Sequence, residues 1–206
     1  LSALAGATAE HVLTKDTATG NAVFKAAGGG SLNGFTETAA AYGNTALGNT
    51  ALDSLTAASG LRNTAMGADA GTAVTTGGDN VLIGYQAGLA NTADANTAVG
   101  SLSLDANTTG VRNTALGYQS LSAIVTANDS TAVGYNALRL DTGGSNIALG
   151  SQAGDNITSG ASNIIIGMNI DAPSATASGQ MSIGNLIFGT SLGEIGTTIC
   201  DGNVGI

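Results

Sequence analysis

The chain has 206 residues, with fourteen acids against five bases for a formal charge of −9, and only 9% charged and 3% aromatic residues. An ordinary globular domain carries about 25% charged residues; here large side chains are too scarce to fill a wide enzyme-like core, yet 43% hydrophobic content is too high for a disordered chain. Five bases cannot build a phosphate-neutralising stripe, which argues against binding to a nucleic-acid backbone.

In chain order, residues 1–42 read as an N-terminal flanking β segment. They hold the single histidine, His11, beside Glu10 and near Asp16, with no nucleophile to complete a catalytic relay. From 43 to 188 one phrase is rewritten: NTALGNTAL at 44–52, NTALGYQSL at 113–121, STAVGYNAL at 130–138, NIALGSQAG at 146–154. Aligned on its glycine, the phrase recurs at Gly48, Gly67, Gly84, Gly100, Gly117, Gly134, Gly150, Gly167 and Gly184, with steps of 19, 17, 16, 17, 17, 16, 17 and 17. So steady a period marks a solenoid. The spacing predicts two strands of about five residues and two turns per coil, hence two parallel sheets back to back in a rod roughly 43 Å long. The glycine is expected at a bend, where a Cβ would crowd the turn or the next coil. Residues 189–206 form a C-terminal segment with one cysteine, Cys200, read as inert; a lone cysteine allows no disulfide framework.

Each column of the stack has an expected role. Four residues before the glycine stand Asn44, Asn63, Asn80, Asn96, Asn113, Ser130, Asn146, Asn163 and Gln180, which predict a ladder of stacked amides. One before it stand Leu47, Met66, Ile83, Val99, Leu116, Val133, Leu149, Ile166 and Ile183, apolar without exception and therefore expected as the coil core. The intervening position, mostly Ala, then falls on the opposite face. NIIIGMNI at 163–170 is apolar on both strand faces, so Ile165 is expected to meet another copy of the chain, and Leu82 likewise. A thin core of this kind predicts a homo-oligomer.

N-[ST]-A-[LVI]-G followed by a short second run resembles the repeat of trimeric autotransporter adhesin heads. The wording NTA[VL]GYxAL is still more similar to repeats of bacteriophage tail fibres. The resemblance covers about residues 43–188 and implies a left-handed parallel β-roll assembled as a homotrimer. It further implies a non-enzymatic fibre segment on an extracellular virion tail, with neighbouring fibre or baseplate proteins and a cell-surface glycan or protein receptor as partners. HVLTKDTATGNAVFKAAGGG is similar to β segments preceding fibre shafts, and DGNVGI at 201–206 to the lead-in to a shed chaperone, so the chain is expected to be part of a longer protein. A bacterial surface adhesin head binding matrix or host glycans is the rival use of the same roll.

No catalytic, cofactor-binding or metal site is expected. Asp53, Asp69, Asp105, Asp141, Asp155 and Asp171 share no single register, whereas calcium needs converging oxygens. Arg62 and Arg112 share the column five before the glycine with Asp79 and Asp129 one coil later, which predicts ion pairs between coils. Tyr85, Tyr118 and Tyr135 follow the glycine, and the last two could stack into a sugar-binding patch or pack on a neighbouring subunit. Thr45, Thr64, Thr97, Thr114 and Thr131 share a column as an ice-binding face would, but it turns to Val81, Ile147, Ile164 and Met181. No apolar run reaches the ~20 residues of a membrane-spanning helix.

Overall fold

The computed structural model describes residues 11–15, 22–26, 43–55, 60–184 and 187–189, with side-chain environments for 43–55 and 60–184. The expectations for Glu10, Asp16 and Cys200, and for most of segments 1–42 and 189–206, lie outside the described residues. Near the N-terminus β1 (His11–Lys15) pairs antiparallel with β2 (Ala22–Ala26). The repeats then give one strand per coil: β3 (Thr45–Leu47), β4 (Thr64–Met66), β5 (Val81–Ile83), β6 (Thr97–Val99), β7 (Thr114–Leu116), β8 (Thr131–Val133), β9 (Ile147–Leu149), β10 (Ile164–Ile166) and β11 (Met181–Ile183). Each is parallel and in register with the next, as Thr114 opposite Thr131 and Leu116 opposite Val133 show. An antiparallel strand, β12 (Ile187–Gly189), pairs with β11 at the far edge. The chain is a β-solenoid of nine parallel rungs about 17 residues apart.

The expected second strand is not a strand. Positive φ recurs two and four residues after the corner glycine, as at Gln119 (51°), Leu121 (51°), Asn136 (54°) and Leu138 (50°). This alternation turns successive amides toward opposite neighbours. The Gln119 N–H donates to Ser101 O of the coil before (3.1 Å), and the Leu121 N–H to Ala137 O of the coil after (3.1 Å). The run therefore stacks as firmly as a sheet while burying consecutive residues, Ser120 with Leu121 and Ala137 with Leu138, which a pleated strand cannot do.

The column expected as core proves to be the outer one. Leu47, Met66, Leu116 and Leu149 are exposed, and Ile83, Val99, Val133, Ile166 and Ile183 are only partly covered. The buried column lies one residue earlier: Ala46, Ala65, Leu82, Ala98, Ala115, Ala132, Ala148, Ile165 and Ser182. The space between the sheet and the turn run opposite is narrow. That run fills it with Leu52, Leu104, Leu121 and Leu138, leaving room for only a methyl on the strand. Where the run has glycine instead, the strand can carry the bulk. A Cβ on Gly71 or Gly88 would lie 2.6 Å from a Leu82 methyl, and one on Gly154 would lie 3.3 Å from Ile165 Cγ1. Leu82 and Ile165 thus point into the interior of the solenoid, not toward a second chain.

The corner glycines are obligatory. From Gly48 to Gly150 they adopt φ of 134° to 141°, and a Cβ there would stand 2.3–2.6 Å from the carbonyl oxygen of the next corner glycine.

Candidate functional surfaces

Two side-chain ladders tie the coils together. In the first, each amide caps the following coil: Asn44 Oδ1 accepts from Asn63 N (2.7 Å), Asn63 Oδ1 from Asn80 N (3.0 Å), and Asn80 Oδ1 from Asn96 N (2.9 Å). Asn96, Asn113, Asn146 and Asn163 continue the series. The other end of each amide donates to a carbonyl beyond the turn, as Asn113 Nδ2 does to Ala127 O (2.9 Å) and Asn146 Nδ2 to Gly160 O (2.8 Å). Most rungs are side chain to backbone, so the amides act mainly as clamps; Asn80 Nδ2 to Asn63 Oδ1 (3.0 Å) is an amide–amide contact. From Asn63 to Asn163 these side chains are buried, which the two-ended bonding makes tolerable. Ser130 interrupts the amide series, and its hydroxyl accepts from Asn146 N at a longer 3.3 Å.

The second ladder is of threonine, eight residues after the corner glycine, and the sequence reading missed it. Thr92, Thr108, Thr142 and Thr158 each donate a hydroxyl to a carbonyl of the next coil at 2.8–3.2 Å. The recurring threonine was the available signal.

Arg62 reaches Asp79 through two bonds (2.5 and 2.7 Å), and Arg112 reaches Asp129 the same way (2.6 and 3.0 Å). The hydrogen bonds from the guanidinium groups hold both carboxyls below the ordinary carboxylate range and raise both arginines. All four side chains are about half exposed or more, so the pairs register neighbouring coils and add little to stability. The first pair lines an open groove with Thr76, Gly78 and Asp94.

The acids are dispersed. Asp53 and Asp171 are exposed, while Asp69, Asp105 and Asp155 are partly covered. Burial raises Asp105, and burial with the neighbouring Asp155 carboxylate raises Asp171. Asp141 stands apart because it is fully buried. No cluster of three metal-ligating side chains occurs among the described residues, and none of their helices is long and apolar enough to cross a membrane.

Tyr118 and Tyr135, on adjacent coils, stack with ring centroids 5.6 Å apart and planes at 11°. Tyr85 is separated from them by the coil that carries Ser101. Beside this corner column lies the outward face of the sheet. Of the eleven large hydrophobic side chains exposed among the described residues, Val125 and Leu140 lie elsewhere; the other nine stand in the sheet's outer columns or immediately after the corner glycine. The exposure is therefore one stripe, not scatter. Its members include Leu116 at 45% and Met168 at 71% exposed. Thr45, Thr64, Thr97, Thr114 and Thr131 share this face, with an aliphatic column beside them in place of a second threonine rank. Comparison with protein-family models, curated proteins and solved structures found no match.

Proposed function

We propose that the chain is a non-enzymatic structural and adhesive segment of a trimeric, phage-type tail fibre. In this reading it is a stiff extracellular rod on the virion, joined to neighbouring fibre or baseplate proteins, that presents three copies of its surface to a cell. The observation that supports it best is the outward sheet face. Soluble monomers rarely leave a continuous apolar patch of this kind uncovered, and a face repeated identically along the rod suits a second and third copy of the same rod. The number three and the virion setting rest on the sequence resemblance. Nine in-register rungs with laddered side chains on both sides supply stiffness, and the stacked Tyr118–Tyr135 pair is the candidate receptor contact, since tyrosine offers an apolar ring with a polar tip.

Leu116→Asp tests this reading. Position 116 points away from the coil interior, so the variant should keep its circular dichroism spectrum. Around a threefold axis it would bury three carboxylates, so in sedimentation the wild type should run as a trimer and the variant as a monomer. Wild-type binding to cells should weaken on loss of avidity, by about 10²–10⁴-fold if all three copies engage. A wild type that sediments as a folded monomer, or a variant that stays trimeric, would overturn the reading.

A further inference from the structure

Seven residues after the corner glycine runs an interior column that is apolar in half of the described coils: Val74, Ile124 and Ile157 are wholly buried there. It turns polar at Asn91, Asn107, Asp141 and Ser174, the last of which is bonded to Gln180. Asn91 and Asn107, on successive coils, answer each other: Asn107 Nδ2 donates to Asn91 Oδ1 (2.7 Å) and to Gly110 O (2.9 Å), while Asn91 Nδ2 donates to Ala93 O (3.1 Å). The third place is Asp141, and it has no such mate. Its column neighbours one coil before and after are Ile124 and Ile157.

Asp141 is fully buried, and only half of its carboxyl is satisfied. Oδ1 accepts from Gly143 N (2.8 Å) and Asn146 Nδ2 (2.9 Å), whereas Oδ2 is buried and accepts no hydrogen bond. The Gly144 N–H and the Ser130 hydroxyl also face the carboxyl and partly offset its burial, though neither gives Oδ2 a hydrogen bond of normal geometry; Ser130 stands at the one rung between Asn44 and Asn163 where the amide ladder is interrupted. No charged group offsets it. Asp129 is turned outward into its pair with Arg112, and Arg139 makes no ion pair with it. A carboxylate in such surroundings suffers the desolvation cost with no cation to repay it.

We propose that Asp141 makes the solenoid an acid-hardened rod: in mildly acidic medium a solvent proton binds Oδ2, converts the buried carboxylate to a neutral acid that can hydrogen-bond within the coil, and tightens the stack at that rung. The sense follows from linkage. Burial raises the carboxyl above its ordinary range in the folded coil, so the folded chain holds a proton that the unfolded chain has released. Stability is full below the unfolded value and falls as pH rises from there through the folded value. Asp105 and Asp171 act in the same sense. Asp79 and Asp129 act oppositely, in a separate window below the ordinary carboxylate value.

The test uses the full chain in its native assembly and follows the thermal midpoint from about pH 7 to about pH 4.5. The wild type should melt higher at the acidic end. Asp141→Asn, which places at 141 the residue found at 91, should lose most of that slope and match or exceed the wild type at neutral pH; a tenfold change in the folding equilibrium moves the midpoint by about 3–6 °C. Asp105→Asn separates the contribution of the partly buried Asp105, whose carboxyl burial also raises. Parallel slopes for wild type and Asp141→Asn would overturn the proposal. Should the variant not fold, the carboxyl carbon of Asp141 can be titrated by NMR in the wild type. A transition above that of aspartate in a short peptide supports the device; one at the same pH overturns it.

Discussion

At the scale of single residues the solenoid separates two kinds of positive φ. The column five before the corner glycine sits near +60° and accepts side chains of every kind, including Arg62 (59°), Asp79 (60°) and Ala95 (59°). The corner column sits near +135°, outside the left-handed helical well, and its Cβ direction runs into the next coil. Gly117→Ala would place a Cβ 2.3 Å from Gly134 O and 2.6 Å from its carbonyl carbon. Backbone strain alone is worth about 1–3 kcal/mol there, and the clash adds to it. Gly43→Ala is the matched control: φ is 65° and the nearest atom, Arg62 Cγ, is 3.7 Å away, so the cost should stay near 1–2 kcal/mol. Urea denaturation of the two variants checks the order; equal losses would show that the corner tolerates a side chain. The constraint on the corner was legible in the sequence because the glycine never varies. The buried leucines at positive φ, Leu52, Leu104, Leu121 and Leu138, were not. Leucine pays a local penalty in that conformation, and only the burial of its side chain offsets it.

In several coils the strand and the run facing it exchange volume, though Ala65 and Ala148 share their coils with Gly71 and Gly154, whose space is taken by Leu82 and Ile165 of the following coils. Ala98, Ala115 and Ala132 are matched by Leu104, Leu121 and Leu138 of their own coils, whereas Leu82 is matched by Gly88. Leu82→Ala should leave a cavity and cost about 2–5 kcal/mol. Gly88→Leu alone should overpack the coil by about 1–3 kcal/mol, because its Cβ would meet Leu82 Cδ2 at 2.6 Å. The double variant reproduces the alanine–leucine arrangement of the coils of Ala98, Ala115 and Ala132, and φ of 57° at position 88 suits leucine as well as the 54° of Leu104 does. Its loss measured by chemical denaturation should therefore be clearly smaller than the sum of the single losses, and strict additivity would refute the complementarity. The same pairing explains the inverted core. Alternation along TAL or TAV divides a strand into two faces without saying which is inside. Apolar size alone favoured Leu116 over Ala115. The deciding signal was the exchange of volume between two columns, alanine with leucine in one coil, and Leu82 or Ile165 beside a glycine of the same or the preceding coil, and it appears only when both are read together. The amide column could be read from one position, because a buried Asn must bond and its next-coil partner is fixed by the period.

Among the described coils, hydrogen bonds run within a coil or between coils one apart, so stability should behave as a sum of coil and interface terms along one dimension. The period was fully legible, because nine glycines mark it. The need for cover was legible, and the face that carries it moved from Ile165 to the outer columns once the inside of the coil was known. One-dimensional order gives a sharp expectation for deletions. Removing residues 118–134, one 17-residue period, joins Gly117 to Tyr135. Asn113 then faces Asn146, Leu116 faces Leu149, and the corner of Gly117 lies on that of Gly150, so both ladders and the sheet close again. Arg112 loses Asp129, an exposed partner whose absence is cheap. The shortened chain should fold cooperatively, melt a few degrees lower, and lose about 4.8 Å of length in small-angle scattering. Removing residues 118–125, about half a period, instead sets turn residues against strand β8 and puts the following columns out of phase with those before them. That variant should fail to form a continuous stack and lose its cooperative transition. If the two deletions behave alike, coil registry does not hold the rod together, and the ladders of Asn and Thr are decoration on some other source of stability.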